Sequence, residues 1–382
     1  HGESQRVATS VNAAAFALHR ELTGRGNLLF SPLSVYCVLR LLYEGARGET
    51  RRALGRLLGP DSVPAAPPDL RLLLEELESL TRSSETETRS AEPLDLRIAN
   101  GIWIQDTYPL VSGFLPSVRA VMDSDVASLD FAGHPERSCD EINAWIADRT
   151  RGRISDMLSG ISPLTRAVIG NAVYFKAGWD EVFGEPAPGR FHRLDGSETE
   201  VQMMRGHFAD LNLLEVDDFW AVELPYRSRP VSMLLMIPRL PGAAALAALE
   251  RQVFKTWSSV RDPRWHRIDA ILTMPSFEFR QSYELIPALG RMGLGEALGG
   301  AGDWSGITEE KGVGFDRVQH DTYIKVDQFG TEATAATLAS MYGAALEPPP
   351  KPRTIIIDRP FLFGIWHWTS GVILFLGKVE NP

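Results

Sequence analysis

Histidine and cysteine side chains are the first candidates for chemistry in this chain of 382 residues. The eight histidines never lie within four positions of one another, so no local pair has the spacing of a metal site. Only Cys37 and Cys139 represent cysteine, and they are too few and too far apart for a disulfide framework or a cysteine-rich zinc site. We therefore expect no metal site and no cofactor.

Local motifs of the common enzyme classes are missing as well. The chain has no Gly-x-Ser-x-Gly elbow, no Gly-x-Gly-x-x-Gly turn, no phosphate loop ending in Gly-Lys-Ser/Thr and no His-Glu-x-x-His. His320 falls on the inner face of a strand pattern, where a histidine is more often a core residue than a general base. A Ser-His-Asp site assembled from distant positions is an alternative that motifs do not test. We expect a protein that is not an enzyme.

One segment has an unusual chemistry, because its residues from Gly330 to Ala345 are nearly all small. The proline-rich residues 346–352 follow it and cannot continue a helix or an inner strand. Read in alternation, five of its small side chains share one face that a dense core could accept. These are Thr331, Ala333, Ala335, Thr337 and Ala339. Composition alone equally allows a flexible linker or an alanine-rich surface helix.

Composition and charge restrict the partners. Hydrophobic residues make up 44% of the chain and charged residues 23%, as in folded soluble proteins. A net charge of −10 disfavours binding to nucleic acid or to an anionic membrane surface. Residues 360–377 carry no charge, but the turn sequence 367–371 divides them, which predicts a buried hairpin rather than a membrane span. We expect neither nucleic acid nor membrane as a partner.

Hydropathy patterns predict the elements that must position these residues. A period of 3.6 predicts helices over 7–22, over 32–45 after the Ser31-Pro32 cap, and over 70–81 after Asp69. A capping box at Ser138 predicts the start of a further helix. Strand patterns cover 94–98, 167–175 and 318–326, the last with one polar face, and residues 61–68 and 82–93 read as a connector and a mobile loop. The order of elements indicates an α+β chain with antiparallel sheets.

Eight motifs, taken in order, resemble those of the serpin family over essentially the whole chain. Each is weak by itself, but the eight in this order are specific. They are Asn27 to Ser34, Gly45 to Thr50, Asn143 to Trp145 with Thr150 to Ile154, Asn171 to Trp179, Asp303 to Ile307, His320, Gly330 to Ala333, and Arg359 to Phe361.

The resemblance implies a fold and a mechanism. It implies one α+β domain over residues 1–382, with helices packed on three largely antiparallel β-sheets and an exposed reactive loop at about 328–352. A serine protease would cut this loop as a substrate and form an acyl-enzyme. The freed loop would then enter the main sheet as a new strand and distort the tethered protease before hydrolysis. The partner is therefore a target serine protease in a covalent complex, and we expect a monomer.

The resemblance also assigns roles to residues. Polar residues beneath the two strands that must part, called the shutter, are Ser31, Ser34, Asn171 and His320. Trp179 marks the breach, the place where insertion begins. The hinge consists of Gly330, Thr331, Glu332, Ala333, Thr334, Ala335 and Ala336. Thr331 would be the first of these residues to leave solvent and enter the sheet. Gln328 and Ser276 stand where many members have a Glu–Lys pair, so the top of the sheet must use other contacts.

The resemblance implies a reactive bond at Ala344-Ala345 when the family's usual loop length is counted from Gly330, and a small alanine there suits an elastase-like or subtilisin-like protease. Tyr342-Gly343 is the alternative and would imply a chymotrypsin-like target. Acidic residues dominate the helix predicted over 70–81, so we expect no heparin activation. A non-inhibitory serpin acting as a binding or chaperone module is the other class, but the small hinge residues favour an inhibitor. The compartment stays open, with an extracellular location slightly favoured over the cytoplasm.

Overall fold

A computed structural model describes residues 2–22, 24, 26–59, 67–86, 94–227, 230–256, 264–331 and 351–382. Among them, the α-helices are α1 Gly2–Leu22, α2 Pro32–Gly45, α3 Gly48–Leu58, α4 Pro67–Thr86, α5 Phe114–Val121, α6 Pro135–Arg149, α7 Ala243–Thr256 and α8 Ile286–Leu289. The strands are β1 Leu28–Phe30, β2 Asp95–Gln105, β3 Asp125–Leu129, β4 Ala167–Gly178, β5 Ala187–His192, β6 Glu198–Glu215, β7 Phe219–Pro225, β8 Val231–Pro238, β9 His266–Pro275, β10 Phe277–Glu284, β11 Arg317–Asp327, β12 Gly330–Thr331, β13 Arg353–Ile356, β14 Phe361–His367 and β15 Val372–Val379.

The strands of these residues form two hydrogen-bonded sheets. The larger has nine strands in the order β1-β15-β14-β8-β7-β6-β9-β13, with β5 also paired to β6. The smaller has six strands in the order β10-β11-β12-β4-β2-β3, and β11 also pairs directly with β4. Most neighbours are antiparallel, as expected for this α+β fold, and the pairs β2–β3, β4–β11 and β9–β13 are parallel.

The three sheets that the resemblance implies form two hydrogen-bonded sheets here, because the long strand β6 belongs to two of them. Its residues 203–213 pair with β9, and its residues 212–215 pair with β7. A register shift between Phe208 and Leu211 bends the strand without breaking the hydrogen bonding. Two regions that would otherwise be separate sheets are therefore one.

Helix α2 lies in the core, and this explains why most of its residues are apolar. Thirteen of its fourteen residues are buried. Ser31 caps it as predicted, because its hydroxyl accepts a hydrogen bond from the Ser34 N–H at 3.3 Å, and Pro32 occupies the first turn. The polar start of α2 therefore lies inside the protein, beneath the six-stranded sheet.

Helix α6 covers the other face of the six-stranded sheet, and its start corrects a prediction. It begins at Pro135 rather than at a capping box on Ser138, because proline is preorganised for the first helical position. Ser138 lies inside the first turns, where its hydroxyl donates to the Asp130 carbonyl at 3.2 Å. Ile142 and Ile146 then pack with Trp103 of β2 in a second, smaller core.

Three further sequence predictions are tested. The hairpin over 361–377 is confirmed by the antiparallel pair β14–β15. Helix α4 is longer than the predicted 70–81 at both ends, since prolines at its start are compatible with a first turn; residues 60–66 and 87–93 lie outside the described residues. The predicted polar face of β11 is partly buried, because Asp321 is fully covered and pairs with Arg280 of β10. Within the described part of the chain, no helix is long and apolar enough to span a membrane.

Candidate functional site

The centre of the six-stranded sheet is forked. Residues 317–322 of β11 pair directly with residues 168–173 of β4 in parallel, so this part of the sheet is closed. Above it, the two-residue strand β12 lies between the same two strands and is antiparallel to both. Thr331 is opposite Ala177 on β4 and Val326 on β11. Strand β12 therefore enters the fork at its upper end, and the described part of this segment ends at Thr331.

The four predicted shutter residues lie together in the closed part of the fork. His320 of β11 and Asn171 of β4 are direct register partners, and the His320 Nδ1 is hydrogen bonded to the Asn171 Oδ1. On its other side, the His320 Nε2 accepts a hydrogen bond from the Ser31 N–H at 3.1 Å. Asn171 Nδ2 donates to the Ser34 hydroxyl. The start of α2 thus joins both strands of the closed pair.

This geometry settles the protonation of His320. Because Nε2 is an acceptor, the single proton of the neutral ring resides on Nδ1 and is donated to Asn171. The ring has no solvent exposure, and burial lowers the pKa of His320 to about 3. The shutter hydrogen bonds therefore require the neutral form.

Two buried residues in this region are absent from the sequence predictions. Asn100 of β2 accepts a hydrogen bond from Asn171 Nδ2 at 2.5 Å and extends the shutter to a third strand. The hydroxyl of Thr322 donates to the Leu29 carbonyl at 3.0 Å. An asparagine inside the otherwise apolar run from Ile98 to Ile104 is the signal that could have identified Asn100.

The buried neutral His320 predicts that the free energy of unfolding falls in acid. The folded-state pKa of His320 is about 3, whereas an unfolded histidine titrates near the usual value of 6.5. Between these values only the unfolded chain gains a proton here, so stability falls as the pH falls below about 6.5. At pH 5 the loss from this group should be about 2 kcal/mol. His320→Gln, which keeps a donor and an acceptor, should reduce the fall of the urea unfolding midpoint between pH 7 and pH 5. Part of the fall should remain, because burial also lowers the pKa of His19 and of His367.

The matched control is His266→Gln, at an exposed position. It should keep the pH profile of the original protein in urea unfolding followed by tryptophan fluorescence. If both variants titrate like the original protein, His320 does not govern acid stability.

The predicted breach residue Trp179 lies at the upper end of the fork. Its indole Nε1 donates to the Asp327 carbonyl at 3.0 Å, and its backbone N–H donates to the Phe329 carbonyl at 2.9 Å. Its ring stacks on Tyr226 with ring centroids 4.6 Å apart and an angle of 9°. Trp179 thereby fixes the turn from which β12 enters the sheet.

Tyr226 was not identified from the sequence, yet it makes the only side-chain hydrogen bond of Thr331 among the described residues. The two hydroxyls are 2.7 Å apart and fully buried. Burial raises the pKa of Tyr226 well above its usual range, so its hydroxyl stays protonated. Thr331, which the sequence predicts to leave solvent first on insertion, is thus already inside the sheet.

Gly330 is the residue that permits this entry. It has a φ of 157°, and a Cβ atom at this position would clash with the Ala177 carbonyl. Only glycine allows the backbone to come this close to β4.

The remaining predicted residues are distributed as follows. The side chain of Gln328 donates to Glu185 at 3.3 Å, while Ser276 contacts the Gln202 carbonyl, so the two are not partners. Hinge residues Glu332, Ala333, Thr334, Ala335 and Ala336 and both candidate bonds, Ala344-Ala345 and Tyr342-Gly343, lie outside the described residues. In the part of the chain that is described, no three His, Cys, Asp or Glu side chains are grouped to hold a metal ion.

After the loop, the chain returns to the nine-stranded sheet through β13. Four residues of β13 pair in parallel with 270–273 of β9. The Arg353 guanidinium makes two hydrogen bonds to the Glu215 carboxylate, at 2.7 and 2.8 Å, and holds the pKa of that carboxyl below its usual range. The segment between Thr331 and Arg353 is therefore anchored in a different sheet at each end.

Comparisons with known proteins point to one family. A family model described as Serpin (serine protease inhibitor) matches residues 9–382. An uncharacterized serpin-like protein of Thermococcus kodakarensis is 34% identical over 391 residues, which cover 100% of this chain and 87% of that protein. The leukocyte elastase inhibitor of Bos taurus is 29% identical over 377 residues, which cover 94% of this chain and 93% of that protein.

Solved structures have the same fold. The crystal structure of maspin matches with a TM-score of 0.86 at 23% identity, covering 100% of both chains. Serpin48 of the insect Tenebrio molitor, described as a highly specific serpin, matches with a TM-score of 0.81 at 25% identity, again over 100% of both chains.

Proposed function

The chain belongs to the serpin family, and on that premise we propose that it inhibits serine proteases as a suicide substrate. A protease attacks the reactive loop and forms an acyl-enzyme. Before the ester is hydrolysed, the loop enters the six-stranded sheet between β4 and β11 and carries the protease with it. The position of Gly330 and Thr331 inside the fork is the observation that carries this proposal, because insertion then continues a strand that has already begun.

The register of β12 supports the length of the reactive loop. Continued from Thr331, it puts Ala333 opposite Phe175 of β4 and Ile324 of β11. The same register puts Met341 opposite Ala167, the first residue of β4. A bond at Ala344-Ala345 then lies just beyond the far end of the sheet. At about 3.3 Å per residue, the protease would move by about 40 Å.

The energetics favour insertion. The direct β4–β11 ladder of six register pairs would be replaced by two antiparallel ladders on either side of the new strand. At roughly 0.5–1.5 kcal/mol net per hydrogen bond, the added ladder supplies on the order of 10 kcal/mol. The uncut protein is then metastable, and its lifetime depends on a barrier rather than on its equilibrium stability.

The loop chemistry favours a protease with a small or permissive pocket. Alanine at position 344 suits elastase-like and subtilisin-like enzymes, and Tyr342 is the alternative for a chymotrypsin-like one. No Lys or Arg occurs from residue 330 to residue 350, so trypsin-like proteases are not the targets. The similarity to a leukocyte elastase inhibitor supports the same choice. The charges on α4 include the pairs Arg71–Glu75 and Arg82–Glu78, so this helix does not offer a heparin site.

The test is covalent complex formation. Mixed with pancreatic elastase or subtilisin, the protein should give a 1:1 complex that survives SDS, with the cut mapped by mass to Ala344. The same protease with its active-site serine blocked by phenylmethylsulfonyl fluoride should give no complex. A cut mapped to Tyr342 would change the target class, and cutting without any covalent product would indicate a non-inhibitory binding module instead.

A further inference from the structure

The lower end of the fork is held closed by a charged pair. Arg166 directly precedes β4, and Asp316 directly precedes β11. The Asp316 carboxylate accepts a hydrogen bond from the Arg166 backbone N–H at 2.7 Å, and its two oxygens also accept from the guanidinium Nε at 3.3 Å and Nη2 at 2.9 Å. The Asp316 backbone N–H in turn donates to the Ala167 carbonyl at 3.0 Å. We refer to Arg166, Ala167 and Asp316 as the lower clasp.

Further contacts hold the lower clasp in place. The Arg166 carbonyl accepts a hydrogen bond from the Gln105 N–H of β2 at 2.8 Å, and the Arg166 Nη1 donates to the Gly312 carbonyl at 2.7 Å. Each side chain of the Arg166–Asp316 pair is only 30% exposed. Hydrogen bonds between ionised groups are roughly twice as strong as those between neutral groups. The lower clasp therefore joins β4 to β11 more firmly than main-chain pairing alone.

The upper end of the fork shows over what length the two strands can separate. Strand β12 lies between β4 and β11 at Ala177 and Val326. The two strands are paired directly from Val173 and Thr322 downward. Each strand thus changes from separated to paired over four residues. A strand inserted from above can therefore end four residues above the lower clasp without opening it.

The register identifies the loop residue at which this limit is reached. Continued from β12, the inserted strand would place Thr337 opposite Asn171 and His320, which are register partners in the shutter. Asn171 lies four residues above Ala167 on β4. Insertion up to Thr337 would thus separate the shutter and leave the lower clasp closed.

Deeper insertion reaches the lower clasp itself. In the same register, Met341 would lie opposite Ala167 on one side and Asp316 on the other. The inserted strand cannot occupy this position while Asp316 is hydrogen bonded to Arg166 and Ala167. The hydrogen bonds of the lower clasp must therefore break before Met341 can enter.

We propose that the lower clasp is a second barrier to insertion, distinct from the shutter, and that it controls how far the loop and the tethered protease travel. Residues 332–337 enter while the lower clasp is closed, and residues 338–343 enter only when it opens. The inference rests on the proposed function, because it assigns regulation of the last stage of the same insertion to Arg166 and Asp316. An ion pair with a merely structural role would slow both stages alike.

Two synthetic peptides separate the two stages without any protease. They have the sequences of residues 332–337 and 332–343, with acetylated and amidated ends. Each is mixed with the intact protein, and native mass spectrometry follows the rate of complex formation. In Asp316→Asn, which loses the ion pair, the longer peptide should bind at least about tenfold faster than in the original protein, whereas the rate for the shorter peptide should change by less than about twofold.

Two further variants control for the ion pair. Arg166→Gln removes the other charge and should accelerate the longer peptide in the same way, and the double variant should add little because both changes act on one contact. Glu21→Gln is the matched control, since it breaks an ion pair with Arg291 at 2.6 Å that also joins distant parts of the chain but involves no strand. It should leave both rates unchanged.

A reversible crosslink tests directly whether the lower clasp must open. Arg166→Cys with Asp316→Cys is bridged by a short bis-methanethiosulfonate, while Cys37 and Cys139 are buried. The bridged protein should not bind the longer peptide, and dithiothreitol should restore its binding. Binding of the longer peptide with the bridge intact would show that the lower clasp need not open, and the inference would then be wrong even if the shorter peptide binds too weakly to be followed.

The outcomes distinguish this inference from the proposed function. Equal acceleration of both peptides by Asp316→Asn would mean that the pair stabilises the closed sheet as a whole, and acceleration of neither would mean that it is no barrier. Either result overturns the inference and leaves the proposed function standing, because the peptides still bind in the fork. If neither peptide binds any form of the protein, the fork does not accept a strand, and the proposed function fails together with the inference.

Discussion

Cleavage of the loop after Ala344 should raise the midpoint of thermal unfolding by at least about 10 °C. The added strand should raise the free energy of unfolding by on the order of 10 kcal/mol. Divided by an unfolding entropy of roughly 0.8 kcal/mol/K for a chain of this length, this gives the shift in midpoint. The effect is opposite to the usual result of cutting a loop, which loosens the structure. The reason is that Thr331 already lies in the fork, and the cut removes the constraint imposed by the anchor at Arg353.

The measurement is calorimetry of the intact protein and of protein cut by a protease that turns over the loop. Mass spectrometry must place the cut within residues 340–346. Protein incubated with the serine-blocked protease serves as the control and should melt like the untreated protein. A cut form that melts at or below the intact form would contradict the metastable sheet.

The second large effect is expected from Ala333→Arg, which should convert the inhibitor into a substrate. If β12 is continued in the same register on insertion, position 333 would lie opposite Phe175 and Ile324, both of which are buried. A guanidinium there has no partner, so its burial costs several kcal/mol at the beginning of insertion. Each 1.4 kcal/mol slows a step about tenfold, so insertion should be slower by at least about a hundredfold. Hydrolysis of the acyl-enzyme then wins.

Two controls isolate the position and the charge. Ala333→Ser, which is small, and Glu332→Ala, on the opposite face of the strand, should leave the number of inhibitor molecules consumed per protease nearly unchanged. Titration of elastase activity against each variant gives this stoichiometry directly. Inhibition by Ala333→Arg at the original stoichiometry would mean that this side chain does not enter the sheet.

Local signals in the sequence were sufficient for several parts of the fold. The cap at Ser31 and the turn within 360–377 depend on residues that are close together in the chain, and both are confirmed. The predicted start of α6 was wrong because two local signals compete, and Pro135 outweighs the capping box at Ser138. The sequence did not show that β6 joins two of the three expected sheets by hydrogen bonding, because that continuity depends on a bend that no local pattern encodes.

Partners that meet across the sheet were harder to predict. The resemblance to serpins named His320 and Asn171, and the structure makes them register partners. Asn100 and Tyr226 were missed because their roles depend on which strand lies beside them, a property of register rather than of sequence spacing. Thr331 was placed in solvent because a small polar residue carries no sign of being held by a distant tyrosine.

If the proposed mechanism holds, the shortness of β13 limits how long the uncut protein stays able to inhibit. Among the described residues, four register pairs and an ion pair between the partly exposed Arg353 and Glu215 side chains hold β13 to the nine-stranded sheet. If β13 detaches from β9, the uncut loop becomes long enough to enter the fork. The protein would then lose its inhibitory activity without having met a protease. Opening rates rise about 3–6-fold for every 10 °C, so shelf life should shorten steeply on warming. An exposed ion pair adds little to that lifetime, whereas a longer β13 would extend it and leave the chemistry of the loop untouched.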